Sequence, residues 1–356
     1  MMSNNDLYAV ALSVASGISG ALRGKMELSP VELFEMLGGA SLPTQPFIAA
    51  NYPSTAIDAA KAIMEKLERT KSIHLLHYWN DAYPELLRQI NNPPVALYYR
   101  GQSPPERSVA VVGTRKPSEY SRNVTRIIVE NLVRAGFAIT SGMARGIDGE
   151  AHAGALACGG STIGVLANGI DIVYPSTNRD IYHKIIENGS SSLLSEYPPE
   201  IYSGRWTFVR RNRIISGLSA ATIVIQAGVK SGTLITARYA AEQGRDVFVC
   251  PGGALDEGFT GSHRLIDEGA RILYDVDALM AALTTELQLN LFRVGADFVS
   301  DSDSGSKIMR YLSGKSADID TIIRECGIPA HEFQETLVLL EMEGLVRRKG
   351  NILSVG

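Results

Sequence analysis

The sequence predicts an α/β protein whose main body is a doubly wound, mainly parallel sheet, with a small N-terminal helical domain and a C-terminal winged-helix domain. Three observations carry that prediction. Between residues 108 and 276 seven short apolar runs occur, most of them running into Gly or Pro and most separated by segments of helical period. Such runs are the pattern of buried parallel strands with helices on both faces. Residues before about 72 have helical apolar periodicity without such runs, and residues 307–356 read helix, helix, helix, hairpin.

In chain order, residues 1–72 form the expected helical domain. Its clearest start signal is Ser29-Pro30-Val31-Glu32, where Ser caps, Pro suits the first turn and Glu favours the helix N-terminus. The apolar stretch Leu7–Ile18 follows Asp6 and no basic residue, so it reads as a core-facing helix rather than a leader. Residues 73–106 read as a Pro-rich connector, from Tyr83-Pro84 through Pro93-Pro94 to Pro104-Pro105, broken by a short strand at Val95–Tyr99. Residues 107–283 hold the seven runs: 108–113, 137–142, 162–169, 192–197, 221–227, 246–252 and 271–276. A linker is expected over 284–306, ending in the polar stretch from Ser300 to Ser306. The tail over 307–356 has apolar sets Ile308/Leu312, Ile319/Ile322/Ile323 and Phe333/Leu337/Leu340, with Lys349-Gly350-Asn351 as the hairpin turn.

Composition narrows the classes. A chain of 356 residues suggests two or three domains at roughly 150 residues each. Cys158, Cys250 and Cys326 are scattered and include no CxxC pair, so neither a disulfide framework nor a zinc site is signalled, and a reducing cytoplasm is the expected compartment. No apolar run approaches the ~20 residues needed to span a bilayer. No metal ligand set, cofactor fingerprint or catalytic group is expected.

One segment stands out against the net charge of −4: Arg210, Arg211 and Arg213 fall within four positions. Three cations that close repel one another unless they face an anion. The surrounding window 205–245 holds seven Lys/Arg against the single acid Glu242. A positive patch on an acidic protein points to a polyanion, most plausibly nucleic acid.

Turns at the ends of the runs supply the rest of a phosphate site. Gly113-Thr114-Arg115, the segment Ser141-Gly142 to Arg145 and Lys230-Ser231-Gly232 each combine Gly with a hydroxyl and a cation. Close backbone approach, neutral donors and countercharge are what a phosphate requires. A lone Gly at a strand end means only a tight turn, but here the pattern recurs beside the Arg cluster. Tyr202, Trp206 and Phe208 interleave with Arg205, which suits a single strand whose unstacked bases lie on rings while cations follow its backbone. Core packing accounts equally well for either Trp206 or Phe208 alone.

Other fingerprints fail. No GxGxxG follows a strand. Gly314-Lys315-Ser316 mimics the end of a P-loop, but Met309 stands where its first Gly belongs. Asp148 and His152 would sit one helical turn apart, yet no second ligand cluster accompanies them, so a structural role is expected.

Taken together, these residues resemble the DNA-processing protein A family (DprA, also called Smf). The resemblance rests on Tyr83–Ile90 with Pro93-Pro94, Val109–Arg115, Thr140–Asp148 with Ala151-His152, Leu194–Pro198, Phe208–Leu218, Lys230–Ala237, and Gly244–Phe248 through Pro251-Gly252, in order across roughly residues 80–275. It implies a Rossmann-like sheet domain, a SAM-like helical start and a winged-helix tail. It further implies a non-enzymatic binder of single-stranded DNA that receives incoming strands during natural transformation, protects them and helps load the RecA recombinase. Members resemble homodimers built through the Rossmann-like domain. The DNA site implied by motif comprises Gly113, Thr114, Arg115, Arg205, Phe208, Arg211, Asn212, Arg213, Lys230, Ser231 and Gly232, to which the turn residues Ser141, Gly142 and Arg145 are added.

Two rivals remain. Pro251-Gly252-Gly253 in a Rossmann-like core also resembles nucleoside-monophosphate phosphoribohydrolases, but the Gly-Thr and catalytic Glu of that family are replaced here by Ala254 to Gly258. A purely protein-binding scaffold is the other. In the tail, the third helix, about 330–343, holds Glu332, Glu335, Glu341 and Glu343 and no Lys or Arg, so it is expected to meet protein, leaving Arg347, Arg348 and Lys349 as its plausible DNA contact.

Overall fold

The computed structural model describes residues 3–16, 25–283, 303–312 and 317–329, and then 332–334, 336–337, 340, 346–349 and 352–355. The chain divides into two compact units, Met1–Met280 and Ala281–Gly356.

The first unit opens with helices α1 (Asn4–Val14), α2 (Pro30–Met36) and α3 (Ala56–Arg69). Ser29 starts α2 as its sequence signals: its hydroxyl accepts from the Glu32 amide at 3.3 Å, and the Glu32 carboxylate accepts from the Ser29 amide at 3.0 Å. Ser3 and Asp6 close the same reciprocal box on α1. The apolar face of α3, with Ile63 and Leu67, packs into a core that also holds Phe34, Tyr98, Met143, Tyr182 and Leu193. The helical segment therefore shares its core with the sheet and is a layer of the first unit.

Nine strands follow: β1 (His74–His77), β2 (Ala96–Gly101), β3 (Ser108–Val112), β4 (Ala138–Ser141), β5 (Thr162–Leu166), β6 (Ser192–Ser195), β7 (Ala221–Val224), β8 (Asp246–Val249) and β9 (Arg271–Ile272). They form one sheet in the order β1-β2-β6-β5-β4-β3-β7-β8-β9. From β6 to β9 every pairing is parallel, while β2 runs antiparallel to both β6 and β1. Strands β3 to β7 are buried at every residue, which is why they read as unbroken apolar or small-residue runs. The segment over 73–106, expected as a connector with one short strand at Val95–Tyr99, holds that strand as β2 and a second, β1. It supplies β1 and β2, an antiparallel extension of the sheet, and Tyr83 within it donates its hydroxyl to the Pro94 carbonyl at 2.8 Å. The strand missed is β1, only four residues long.

Helices α4 (Glu119–Arg134), α5 (Ile147–Ala157), α6 (Arg179–Glu187), α7 (Arg205–Gly217), α8 (Thr233–Glu242) and α9 (Thr260–Asp267) connect the parallel strands. Asp148 and His152 on α5 each meet internal partners. The Asp148 carboxylate accepts from the Ala144 amide at 3.3 Å, and His152 Nδ1 lies 2.7 Å from Thr162 Oγ1. Because Thr162 gives its own proton to the Ile139 carbonyl, His152 is the donor, and its ring is neutral with Nε2 buried. Burial, reinforced by the Arg211 charge, pushes the imidazole down to about 3. The unfolded chain takes this proton near the ordinary imidazole value of about 6.5, at 1.36 kcal/mol per unit of pH. His152 is thus expected to lower the melting temperature steadily as pH falls from there to about 3. His152→Gln should remove that part of the slope in a thermal-melt pH series.

In the second unit, α10 (Asp303–Leu312), β10 (Ala317–Asp318), α11 (Ile319–Cys326), β11 (Val346–Lys349) and β12 (Ile352–Val355) enclose Ile308, Leu312, Ile322, Phe333, Leu337 and Leu340. The sheet order is β10-β12-β11, with β11 and β12 forming the expected wing. Since α10 begins at Asp303, the last residues of the expected linker are helical. The remainder of that linker, the Gly314-Lys315-Ser316 mimic and Glu335, Glu341 and Glu343 of the third helix lie outside the described residues, as do the side chains of Arg347, Arg348 and Lys349.

Candidate nucleic-acid interface

Strands β5-β4-β3-β7-β8-β9 carry the sequence order of a doubly wound sheet, running one way from β3 to β5 and the other way from β7 to β9. Where the direction reverses, the loops after adjacent strands diverge and leave a crevice at the carboxyl end of the sheet. The structure has a cleft of about 600 Å³ there, built from the turns after β3 and β7 and from the start of α7. Gly113, Thr114, Arg115 and Lys116 form one wall, Lys230, Ser231, Gly232 and Thr233 another, and Phe208, Arg211 and Asn212 a third. The two turns are joined by the Thr114 amide, which donates to the Gln226 carbonyl at 2.8 Å.

Glycines set this geometry. A Cβ on Gly113 would come within 2.6 Å of Ile147 Cγ1. At Gly146, where φ is +77°, a Cβ would stand 2.3 Å from the Thr114 carbonyl oxygen. Gly113→Ala is therefore expected to displace the Thr114–Lys116 turn and weaken anion binding at the cleft more than tenfold, a ~1.4 kcal/mol effect. A phosphate or oligonucleotide titration of the variant measures it.

A second cleft of about 580 Å³ adjoins the first and shares Arg115, Lys116, Ala144 and Phe208 with it, adding Gly142, Arg145, Asn168 and Tyr174. The Arg115 guanidinium lies over the Phe208 ring, 5.7 Å from its centroid, and Tyr174 meets the same ring at 5.9 Å. Arg115, Lys116, Arg145 and Lys230 are all exposed. Among the described residues only one carboxylate, that of Asp148, lines either cleft. Burial raises that carboxyl and the charge of Arg211 opposes the rise. Four solvent-facing cations thus surround ring faces and the start of α8, where the Thr233 amide donates to Ser231 Oγ at 3.3 Å.

The Arg cluster resolves differently from the sequence expectation. Its anion is internal: Glu196, 10% exposed and just after β6, lies 2.5 Å from Arg213 and 3.2 Å from Arg210. Arg213 is 4% exposed and lines neither cleft, and its charge is met by Glu196. Burial works to raise the Glu196 carboxyl, but Arg213 and Arg210 outweigh it and hold it below the usual range. Arg211 reaches the cleft wall as a buried brace, donating to the carbonyls of Gly142, at 2.6 Å, and of Val165. Burial lowers its pKa to about 10. Asn212 lines the cleft and donates to the Gly232 carbonyl at 3.4 Å. Ser141 is buried and gives its hydroxyl to the Val111 carbonyl at 2.7 Å, so it faces the sheet. Arg205 is exposed outside both clefts.

Sequence reasoning missed Lys116, Tyr174, Asn178 and Glu196. Lys116 follows the Gly113-Thr114-Arg115 turn directly and could have been read with it. Asn178 donates to the carbonyls of Met143, at 3.0 Å, and Ala144, at 2.9 Å. It thereby holds a turn in which Met143 has a φ of +56°. No local signal marks it, because its partners lie more than thirty positions away.

The family model described as DNA recombination-mediator protein A matches residues 74–284, and the one described as DprA winged helix domain matches residues 299–351. The chain is 43% identical over 207 residues to protein Smf of Synechocystis, covering 56% of this chain and about half, 52%, of that relative's length. It is 38% identical over 218 residues to DNA processing protein DprA of Bacillus subtilis, covering 60% of this chain and 73% of the other. With protein Smf of Escherichia coli it shares 32% identity over 303 residues, which is 83% of this chain and 80% of that one. Among solved structures, DprA from Streptococcus pneumoniae aligns with a TM-score of 0.61 at 30% identity, over 79% of this chain and 98% of that one. DNA processing protein A from Helicobacter pylori, whose single-stranded DNA binding mode is the subject of its structure, aligns with a TM-score of 0.54 at 30% identity over 60% and 96%. The same fold, the switch-point cleft and a family match over most of the first unit lead to one statement: the chain belongs to the DNA recombination-mediator protein A (DprA/Smf) family.

Proposed function

We propose that the chain binds single-stranded DNA in the paired clefts and acts as a carrier of strands rather than as a catalyst. The observation that carries this reading is the set of four exposed cations, Arg115, Lys116, Arg145 and Lys230, around clefts lined by a single, Arg-compensated carboxylate. Phosphates would lie against these cations, and bases against Phe208 and Tyr174. A single strand offers the base faces such rings need, whereas a duplex keeps them stacked. Binding of this kind is non-covalent and requires no cofactor.

Membership of a recombination-mediator family supports extending the proposal to protecting incoming strands and loading RecA recombinase during natural transformation, in the cytoplasm. A homodimer through the Rossmann-like domain belongs to the same proposal. Its support is the outer edge of the sheet at β9, unpaired among the described residues, where Ile272 is 45% exposed and Tyr274, just beyond the strand, is 76% exposed. Among the described residues no helix is long and apolar enough to cross a membrane.

The phosphoribohydrolase alternative needs an acid presented to the cleft from the Pro251-Gly252-Gly253 turn. Neither Asp256 nor Glu257 lines it, and Asp256 accepts from the Gly258 amide at 2.8 Å. The test is to incubate the purified chain in parallel with nucleoside monophosphates and with a labelled single strand. Retention of the strand without release of free base supports the binder. Steady release of base, with no retention, overturns it.

A further inference from the structure

Among the described residues two that are not glycine take a left-handed φ, Met143 at +56° and Glu200 at +65°. A residue persists there only where its surroundings fix it. Met143 belongs to the turn that Asn178 holds, whereas Glu200 stands in the loop between β6 and α7 and lines neither cleft. Three groups from the helical segment fix Glu200 and its neighbour. The Asn51 side-chain amide donates to the Glu200 carbonyl at 2.5 Å, Lys66 in the last turn of α3 pairs with the Glu200 carboxylate, and the Tyr52 hydroxyl donates to the Pro199 carbonyl at 2.9 Å. On the other side, the Asp171 carboxylate accepts from the Glu200 amide at 2.9 Å.

Asp171 lies in the loop after β5, and the two loops are clasped together. The Gly169 amide donates to the Ile201 carbonyl at 2.7 Å, and a Cβ on Gly169 would stand 2.6 Å from the Pro198 carbonyl oxygen. The same loop supplies Asn168, Val173 and Tyr174 to the second cleft, where Tyr174 meets the Phe208 ring. Direct contacts therefore run from the helical segment through Glu200 to the ring wall of the second cleft. No described residue of that segment lines either cleft itself.

We infer that Asn51, Tyr52 and Lys66 are positioning residues for the single-strand site: they latch the Glu200 loop, which holds the loop after β5 and so sets Tyr174 against Phe208 before a strand arrives. The inference rests on the proposed binding of single-stranded DNA in the clefts. A base stacks with less loss of freedom on a ring that is already immobilised. Opening the latch should thus weaken binding without removing any cation or ring from the site.

The experiment uses the full chain carrying Asn51→Ala and Lys66→Met together, which removes two solvent-reachable partners of Glu200 and leaves buried Tyr52 and every cleft residue in place. A labelled oligothymidylate is expected to bind about fivefold more weakly, roughly the worth of one net hydrogen bond. The salt slope should not change, because no phosphate contact is lost. Amide exchange at Gly169 and Glu200 should quicken severalfold in the absence of DNA. Tyr174→Ala supplies the readout that a merely structural role would not move: in its background, opening the latch should cost almost nothing further, because the ring it positions is gone. Equal weakening with and without the Tyr174 ring, or undiminished affinity despite faster exchange, would overturn the inference. Failure of the unaltered chain to bind the strand would instead reject the single-strand reading. Exchange then decides the latch alone, faster exchange at Gly169 supporting it and unchanged exchange overturning it.

Discussion

Replacing Glu196 by Ala is expected to destabilise the first unit by roughly 3–5 kcal/mol, the usual cost of leaving a buried charge without its partner. In a unit of this size that corresponds to a fall in melting temperature of about 10 °C. One carboxylate, 10% exposed, neutralises Arg213, whose side chain is 5% exposed, and Arg210, at 33%. Without it, two guanidinium groups on one helix repel each other in a poorly hydrated site. The pair also has a pH signature. Arg213 and Arg210 hold the folded carboxyl below the ordinary glutamate range against the effect of burial. Its contribution is accordingly complete above the unfolded value and is lost as pH falls through the lower folded one. Thermal melts at neutral and acid pH check both statements. An unshifted melting temperature at neutral pH would show that the Arg cluster does not depend on an internal anion.

Arg115→Ala is the second large effect, and it falls on binding instead of stability. Arg115 is exposed, lines both clefts and lies over Phe208. Its removal should weaken single-stranded DNA about tenfold or more and reduce the slope of log affinity against log salt by about 0.7, one phosphate contact. The melting temperature should stay where it was. Arg213→Ala makes the informative contrast. As a buried partner of Glu196 it should lower stability while leaving the salt slope of the folded protein unchanged. A sequence-only reading assigns these two arginines the same role, and the two variants separate them.

Much of this was legible beforehand because parallel strands and phosphate turns are local signals. Apolar runs of six to eight residues predict β3 to β9, and Gly113-Thr114-Arg115 and Lys230-Ser231-Gly232 predict both walls of the cleft. What failed to read depends on distance. Whether an arginine faces solvent or Glu196 is decided by a residue 14 to 17 positions away on another element. Ser141 carries the right chemistry for a phosphate, yet its position at the end of a buried strand turns the hydroxyl toward Val111. The four-residue strand β1 gives no signal of its own, and the helical segment gives no hint that its apolar face is completed by Tyr98 and Leu193 of the sheet and Tyr182 of α6.

The central claim is that the switch-point clefts hold a single strand by its phosphates. Fluorescence-anisotropy titration of labelled single-stranded and duplex oligonucleotides over a series of salt concentrations tests it most directly. The account predicts strong preference for the single strand, with affinity falling linearly in log salt at about −0.7 per phosphate held. Equal affinity for duplex, or no binding at low salt, would contradict it.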